Sequence, residues 1–266
     1  MVEDFMNKIE PIFLTTTFIE RFKDDKENGS ATGFFFAHNE SIFLVTNKHV
    51  IYGDDYYSSD SVSKVNKFRL LLHTNPNDLS QNESLDIDLF EKGKKIWLEH
   101  KNTNIDVILI PLKLNRNKYL IVPVDKTLLE FENLVIQFEK IFVMGYPYGW
   151  FDKKTNLPIT RVGHLSSPFR IPFYGMPVML GDVETHKGMS GGPVYMELKD
   201  YTTQEGDNRT KHLGTTKIIL AGIHSGQPRW DLIDKRTGKI SETVSHSLIF
   251  IWFSDLILEV IAQNID

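Results

Sequence analysis

No cysteine occurs among the 266 residues of this sequence, so no disulfide bond can contribute to its stability. The folded state must therefore be stabilised by packing and hydrogen bonding. The N-terminal stretch MVEDFMNKIEPIF carries acidic residues early and lacks an apolar run long enough for the core of a signal peptide. We therefore expect a cytoplasmic location.

A long hydrophobic run is also missing. The most apolar stretch, residues 248–262, is interrupted by Ser254, Asp255 and Glu259 and is too short to span a bilayer. Neither sign of charge dominates, since 30 basic and 35 acidic residues give a formal net charge of -5 at pH 7. This balance argues against a dedicated nucleic-acid-binding surface. We expect neither a membrane nor a nucleic acid among the partners.

The sequence does contain a series of short apolar runs, rich in Phe, Ile, Val and Leu, between polar loops that contain Gly or Pro. Helical periodicity is scarce before the C-terminus, so the pattern predicts an all-β protein with a closed or sandwiched architecture. Ser254 precedes DLILEVIAQ, and we expect it to cap a terminal helix. The predicted strands are 33–36, 42–46, 68–73, 107–111, 140–144, 160–165, 193–197, 217–223 and 247–253, and the predicted surface loops are 52–67, 114–119, 199–212 and 227–243.

The segment HKGMSGGPVY is the strongest chemical signal in the chain, because it combines Ser190 with closely spaced glycines. Glycine permits an unusual backbone turn and a close approach of the backbone to a substrate. The amide groups of Gly188 and Ser190 are expected to point into one concavity and to stabilise a developing oxyanion. The segment therefore predicts a serine nucleophile with an oxyanion hole.

A serine nucleophile needs a base and a group that orients the base. His49 follows the predicted strand 42–46, and Asp106 stands immediately before the apolar run 107–111. A carboxylate at such a boundary is costly unless it is hydrogen-bonded, which a catalytic histidine would provide. Taken alone, each residue has a plain structural alternative: a surface histidine and a strand-capping aspartate.

These three segments resemble the trypsin-like serine peptidases and occur in that family's order of His49, Asp106 and then Ser190. GYPYGW, residues 145–150, is similar to a turn common in bacterial members of the family. The resemblance implies two six-stranded antiparallel β-barrels with a short C-terminal helix and an active-site cleft between the barrels. It divides the chain into an N-terminal barrel at 10–118, a connection at 119–133, a C-terminal barrel at 134–253 and a helix at 254–266.

The activity that the resemblance implies is that of a serine endopeptidase, which hydrolyses a polypeptide substrate through an acyl-enzyme intermediate without a metal or organic cofactor. LAGIHSG, residues 220–226, resembles the strand that lines the substrate channel in this family. On this resemblance, Ser225 lies close to Asp106 and helps to hold it. Gly226 leaves the channel open to backbone pairing with an extended peptide.

One position departs from the pattern of the secreted members. Met189 stands where zymogens of the family place an aspartate that pairs with the new N-terminus after cleavage. Without that carboxylate, we do not expect activation by this route. The enzyme then either folds directly into an active form or is controlled by a regulatory protein partner or a loop movement. A regulated intracellular effector is one hypothesis that follows.

The residues of the expected specificity pocket are compatible with two different substrate preferences. Glu184 stands six residues before Ser190, where trypsin-like enzymes place the acid that recognises Lys or Arg. Thr185 and His224 instead resemble residues of glutamyl endopeptidases and picornaviral chymotrypsin-like cysteine proteases, whose pockets accept Glu or Gln. We favour Glu or Gln before the scissile bond and keep Lys or Arg as the alternative. A different class of function, a catalytically silent protease-like module that binds a peptide, also stays open.

Overall fold

The computed structural model describes residues 9–58, 60–131, 134, 136, 139–233, 240–245 and 247–265. Its helices are α1 (His49–Tyr52) and α2 (Leu256–Asn264). Its strands are β1 (Thr16–Lys23), β2 (Lys26–His38), β3 (Ser41–Thr46), β4 (Lys67–His73), β5 (Asn82–Asp88), β6 (Phe90–Glu91), β7 (Lys94–Lys95), β8 (Leu98–Glu99), β9 (Ile108–Leu112), β10 (Lys140–Gly145), β11 (Ile159–Leu165), β12 (Val178–Asp182), β13 (Pro193–Lys199), β14 (Thr202–Glu205), β15 (Asn208–Lys211), β16 (Thr216–His224), β17 (Arg229–Ile233), β18 (Ile240–Ser245) and β19 (Leu248–Phe253). The prediction of a mostly β protein is confirmed, and each predicted strand overlaps an observed one.

Two predicted loops contain hairpins instead. β14 pairs with β15 inside 199–212, and β17 pairs with β18 inside and just beyond 227–243. The first hairpin escaped sequence reasoning because β15 is exposed along its whole length, so its residues show no apolar alternation. Residues 234–239 of the second predicted loop lie outside the described residues.

The strands of the C-terminal half close into one six-stranded antiparallel barrel, in the order β10, β11, β12, β19, β16 and β13. This closed barrel is the part of the two-barrel prediction that is confirmed. The N-terminal strands form a seven-stranded sheet in the order β5, β4, β1, β2, β3, β9 and β8, and its described strands form no closed ladder. Its two edge strands are β5, whose residues are all exposed or half-buried, and β8, which has two residues.

Both faces of the central strands in the N-terminal sheet are buried, which explains their uninterrupted apolar runs. On β2, Phe34 and Phe36 pack into the cluster that fills the C-terminal barrel, whereas Phe35 packs into a separate N-terminal cluster. On β9, Leu109 and Ile110 divide between the two clusters in the same way. Successive side chains of a strand point to opposite faces, so this one sheet serves two cores.

The terminal helix α2 packs on the protein through Leu256, Ile257, Val260 and Ile261, as the apolar spacing predicts. Its start differs from the prediction. The helix is preceded by Asp255 rather than capped by the Ser254 hydroxyl, and no side-chain cap is present. No helix in the described part of the chain is long and apolar enough to cross a membrane.

The described part of the predicted connection, residues 119–131, runs against the N-terminal sheet. Leu120 bridges to His73 and Val124 bridges to Phe36. A short 3₁₀ helix follows at Lys126–Leu129. The remaining residues of that range, 132 and 133, are outside the described part, and the division at 119–133 stays a prediction.

Candidate active site

His49 and Asp106 are brought together by the pairing of β3 with β9. The register places Thr46, at the end of β3, opposite Ile108. His49 begins α1 just beyond that pair, and Asp106 stands two residues before β9, the facing strand. The backbone N–H of His49 donates to Oδ1 of Asp106 at 2.8 Å, and Nδ1 of the ring lies 2.7 Å from Oδ2.

The Asp106 carboxylate is fully buried, and both of its oxygens are hydrogen-bonded. Besides the two bonds to His49, Oδ2 accepts from the Ser225 hydroxyl at 2.5 Å. Asn47 donates from Nδ2 to the main-chain carbonyl of Asp106 at 2.8 Å. A buried carboxylate is tolerated when donors satisfy it in this way. Sequence reasoning placed Ser225 beside Asp106 but missed Asn47, whose one signal is its place between a buried strand and His49.

The orientation of the His49 ring fixes its chemistry at neutral pH. An ionised carboxylate only accepts hydrogen bonds, so Nδ1 must carry a proton and Nε2 is left as the basic nitrogen. Burial acts to lower the pKa of His49, but the charge and hydrogen bond of Asp106 outweigh burial and raise the pKa above its usual value. The His49 side chain keeps 23% of its surface exposed, so the ring stays accessible.

Ser190 lies on a tight turn, between the loop 183–187 and β13, that docks onto the N-terminal sheet. Its neighbour Gly191 has φ 84°, and a Cβ atom there would lie 2.1 Å from Oγ1 of Thr46 and 2.3 Å from the carbonyl oxygen of Thr32. Only glycine allows this approach. Because Thr46 is three residues before His49, the turn places Ser190 at the same end of β3 as the histidine.

The backbone N–H groups of Gly188 and Ser190 have no acceptor among the residues that the structure describes. Gly188 has φ 94°, and a Cβ atom at this position would lie 2.4 Å from the carbonyl oxygen of Tyr146. The carbonyl of Lys187 accepts from the N–H of Tyr148 at 2.5 Å instead of turning towards Ser190. Two amide donors are thus left unpartnered beside the serine, the arrangement that an oxyanion requires.

The Ser190 hydroxyl makes no hydrogen bond with the His49 ring within the described residues. Contacts between a nucleophile and its base are often long or poorly aligned in proteins without a bound substrate and shorten in the complex. The structure therefore joins His49 to Asp106 directly and joins Ser190 to them through the docking of its turn.

Thr185 and His224 form a buried pair below this turn. Oγ1 of Thr185 lies 3.0 Å from Nε2 of His224, and Nδ1 of His224 lies 3.0 Å from the carbonyl oxygen of Met189. Burial lowers the pKa of His224 to about 4, so the ring is neutral at pH 7. Since a carbonyl can only accept, Nδ1 carries the single proton, and Nε2 accepts from the Thr185 hydroxyl.

Glu184 is not part of this pair. Its side chain is 69% exposed, and its Oε2 accepts from Nη2 of Arg161 at 2.7 Å. Nε of the same arginine donates to the Glu184 carbonyl at 2.9 Å. His186 is a second, weaker neighbour of the carboxylate at 3.8 Å. The structure thus groups Thr185 with His224 and directs Glu184 towards β11.

The segment after β16 continues to pair with β19. The N–H of Ser225 donates to the Phe250 carbonyl at 2.9 Å, and the Gly226 carbonyl accepts from the N–H of Phe250 at 3.1 Å. Gly226 has φ 63°, a conformation that favours glycine.

Within the described residues, no group of three or more His, Asp or Glu side chains could hold a metal ion.

Comparison with known proteins gives a family. The model of the trypsin-like peptidase domain matches residues 31–199. No curated protein sequence matches the chain significantly. Among solved structures, an inactive serine-to-alanine variant of Rv3671c from M. tuberculosis H37Rv is 13% identical with a TM-score of 0.45, over 94% of this chain and 86% of that one. The serine endoprotease from Yersinia pestis is 13% identical with a TM-score of 0.47, over 96% of this chain and 66% of that one. These structural likenesses are too distant to carry a functional argument.

Proposed function

The chain belongs to the trypsin-like peptidase domain family and is a serine endopeptidase, and we propose that His49, Asp106 and Ser190 form its catalytic triad. The observation that carries this proposal is the 2.7 Å hydrogen bond from Nδ1 of His49 to the buried Asp106. It leaves Nε2 as the free basic nitrogen, at the end of β3 where the Ser190 turn docks.

In the proposed reaction, Nε2 of His49 takes the hydroxyl proton of Ser190 as Oγ attacks the carbonyl carbon of the scissile peptide. The N–H groups of Gly188 and Ser190 donate to the resulting oxyanion. His49 gives its proton to the leaving amine, which leaves an acyl-enzyme on Ser190. Water, deprotonated by His49, then attacks the ester, and the proton returns to Oγ as the acid product leaves. Asp106 keeps the imidazole in the required tautomer and stabilises its protonated form.

Labelling with a fluorophosphonate probe tests the triad. We expect one label per chain, on Ser190, and its loss in both Ser190→Ala and His49→Ala. Ser190→Ala should also reduce kcat on a cleaved peptide by roughly 10⁵- to 10⁶-fold, as expected when a nucleophile is removed. Ser254→Ala is the matched control, because that buried hydroxyl has no hydrogen-bond partner within the described residues. Absence of labelling in a folded protein that still binds peptides would support the silent binding module instead.

For specificity, we propose that Thr185 and His224 line the pocket for the residue before the scissile bond and that the pocket accepts Gln or Glu. Glu184 gives little support to Lys or Arg, because its carboxylate is largely exposed and already paired with Arg161. In this arrangement the Thr185 hydroxyl offers lone pairs, which suit the amide NH₂ group of Gln. A Glu carboxylate only accepts, so its binding requires the Thr185 hydroxyl to turn its proton away from Nε2 of His224 and towards the substrate.

A peptide library that varies the residue before the scissile bond separates these pockets. We expect cleavage after Gln or Glu in the wild type, loss of that preference in Thr185→Val, and no change in Glu184→Gln. Cleavage after Lys or Arg that is lost in Glu184→Gln would support the alternative pocket. A preference for large apolar residues would contradict both.

A regulatory protein partner and a cytoplasmic location stay predictions. The proposed regulation is tested by the turnover of the purified protein alone. Full-rate cleavage of unfolded substrates, unchanged by extracts of the source cells, would contradict a need for a partner.

A further inference from the structure

Each carbonyl of the four residues from Lys187 to Ser190 is held by a donor from outside the turn. Lys187 accepts from the N–H of Tyr148 at 2.5 Å, Gly188 from Oγ1 of Thr32 at 2.7 Å, Met189 from Nδ1 of His224 at 3.0 Å, and Ser190 from the N–H of Thr32 at 3.0 Å. In a trans peptide, the carbonyl and the following N–H point in opposite directions. Fixing the carbonyls of Lys187 and Met189 therefore directs the N–H groups of Gly188 and Ser190 to the other side.

Thr32 supplies two of these four donors. It is fully buried on β2, beyond the last residue pair between β2 and β3, which is Phe34 with Val45. The Ser190 turn takes the place that β3 leaves free, and there the N–H of Thr32 donates to the Ser190 carbonyl. This backbone bond would form with almost any residue at position 32.

The hydroxyl of Thr32 has a second role that needs its side chain. A hydroxyl has one proton to donate and lone pairs to accept. Because the Gly188 carbonyl can only accept, the Thr32 proton goes to it, and Oγ1 accepts from the N–H of Tyr146 at 3.1 Å. Tyr146 begins the turn that contains Tyr148, whose N–H holds the Lys187 carbonyl. One oxygen atom therefore links the two segments that orient the Gly188 N–H.

The surroundings leave this oxygen little freedom. A Cβ atom on Gly145 would lie 2.8 Å from Oγ1 of Thr32 and 3.3 Å from Cα of Met189. The Thr32 carbonyl is itself held by the hydroxyl of Thr46 at 2.8 Å. Tyr148 has φ 54°, which a non-glycine residue adopts at a cost that its surroundings must offset.

We propose that Thr32 is a positioning residue whose hydroxyl joins the Ser190 turn to the 145–149 turn and so keeps the Gly188 and Ser190 N–H groups aimed at the oxyanion. This rests on the proposed triad. The hydrogen bonds of Thr32 would then take the place of the ion pair that zymogens of the family form with an aspartate at the position of Met189. They would hold the Gly188 and Ser190 N–H groups in position without a cleaved N-terminus.

The test compares Thr32→Val, which keeps the shape and removes the hydroxyl, with Thr32→Ser, which keeps the hydroxyl. We expect Thr32→Val to reduce kcat by about 10- to 100-fold with KM within about threefold of wild type, since donors aimed at an oxyanion act mainly in the transition state. The affinity of a peptide aldehyde should fall in parallel with kcat. Thr32→Ser should stay within about threefold of wild type, and Thr32→Cys, a weak donor, should lie between the two. If Thr32→Val does not fold, the Ser and Cys variants still give the order.

Thr17→Val is the control, because it removes an equally buried hydroxyl from β1 whose hydrogen bond is to the neighbouring Phe18 carbonyl. A kcat for folded Thr32→Val or Thr32→Cys equal to that of Thr32→Ser would overturn the inference, as would a loss confined to KM. If the wild type is active and the Thr32 variants give either of these results, the role of Thr32 is contradicted and the proposed triad is not. If the wild type shows no turnover that depends on Ser190, both the proposed triad and the role of Thr32 are contradicted.

Discussion

The N-terminal half holds its part of the site through side chains, whereas the C-terminal half holds its part through backbone carbonyls. His49 and Asp106 are fixed mainly through side chains, by the hydrogen bonds between them and by the Ser225 hydroxyl, which comes from the C-terminal half. The backbone adds the N–H of His49 and the Asp106 carbonyl, which accepts from Asn47. Around Ser190, the carbonyls are bound, and the N–H groups of Gly188 and Ser190 have no acceptor in the part of the chain that the structure describes. A substitution around His49 and Asp106 should therefore shift the pH dependence of the rate. A substitution around Ser190 should instead weaken oxyanion stabilisation and lower kcat, with the pH dependence nearly unchanged.

Asp106→Asn should have the largest effect on the N-terminal region. The amide would still fill the site, but it can offer its NH₂ group to Nδ1 of His49 and favour the wrong tautomer. We expect kcat to fall by about 10⁴-fold. The midpoint of the acid limb should also move to lower pH, since the charge of Asp106 is what raises the pKa of His49.

The pH profile of kcat/KM checks this prediction. In the wild type, activity requires neutral His49 and rises with pH through a midpoint above about 6.5. Asp125→Asn is the control, because that carboxylate bonds to Thr127 at a 3₁₀ turn and should change neither rate nor midpoint. An unchanged midpoint in a folded Asp106→Asn would contradict the assigned role of Asp106.

Gly188→Ala should have the next largest effect, on the C-terminal region. The added Cβ would lie 2.4 Å from the Tyr146 carbonyl oxygen in a backbone conformation with φ 94°, so the peptide must turn and carry the N–H away. We expect a loss of about 10²- to 10³-fold in kcat, the usual cost of one oxyanion donor, with an unchanged acid limb.

Gly175→Ala is the matched control for the backbone strain. Gly175 has φ 74°, but a Cβ atom there meets no heavy atom within 4 Å. It should lower the thermal midpoint slightly and leave kcat unchanged. If both variants lose activity equally, strain rather than the position of the N–H group is responsible, and the contrast between the two regions fails.

The same contrast explains what sequence reasoning could reach. The tight turn around Ser190 was predictable because a turn that exposes amide groups needs glycines at set positions, and φ values of 94° at Gly188 and 84° at Gly191 agree with that need. The apolar runs predicted the strands for the same reason, since burial on two faces leaves a direct mark on the sequence. Such requirements are local.

Contacts between distant segments leave no such mark. Thr32 reads as one polar residue before an apolar run, and nothing near it in sequence shows that Gly188 and Tyr146 meet its hydroxyl. Glu184 occupies the place of a specificity acid by spacing alone, yet a partner on β11 holds it at the surface. The open N-terminal sheet likewise depends on which edge strands meet, and strand patterns do not encode that.

Ser225→Ala should have the smallest effect and move the acid limb in the direction opposite to Asp106→Asn. Its hydroxyl donates to Oδ2 of Asp106, the oxygen that also faces Nδ1 of His49. Without that donor, the carboxylate keeps its charge and interacts more strongly with protonated His49, so the pKa of His49 should rise further. We expect kcat to fall about two- to tenfold at pH 7, with recovery at higher pH and the midpoint shifted upward.

Ser254→Ala, which removes a buried hydroxyl without a partner in the described chain, should leave the profile unchanged. A downward shift in Ser225→Ala would mean that the serine holds the position of Asp106 rather than sharing its charge, and the N-terminal region would then depend on geometry as the Ser190 turn does.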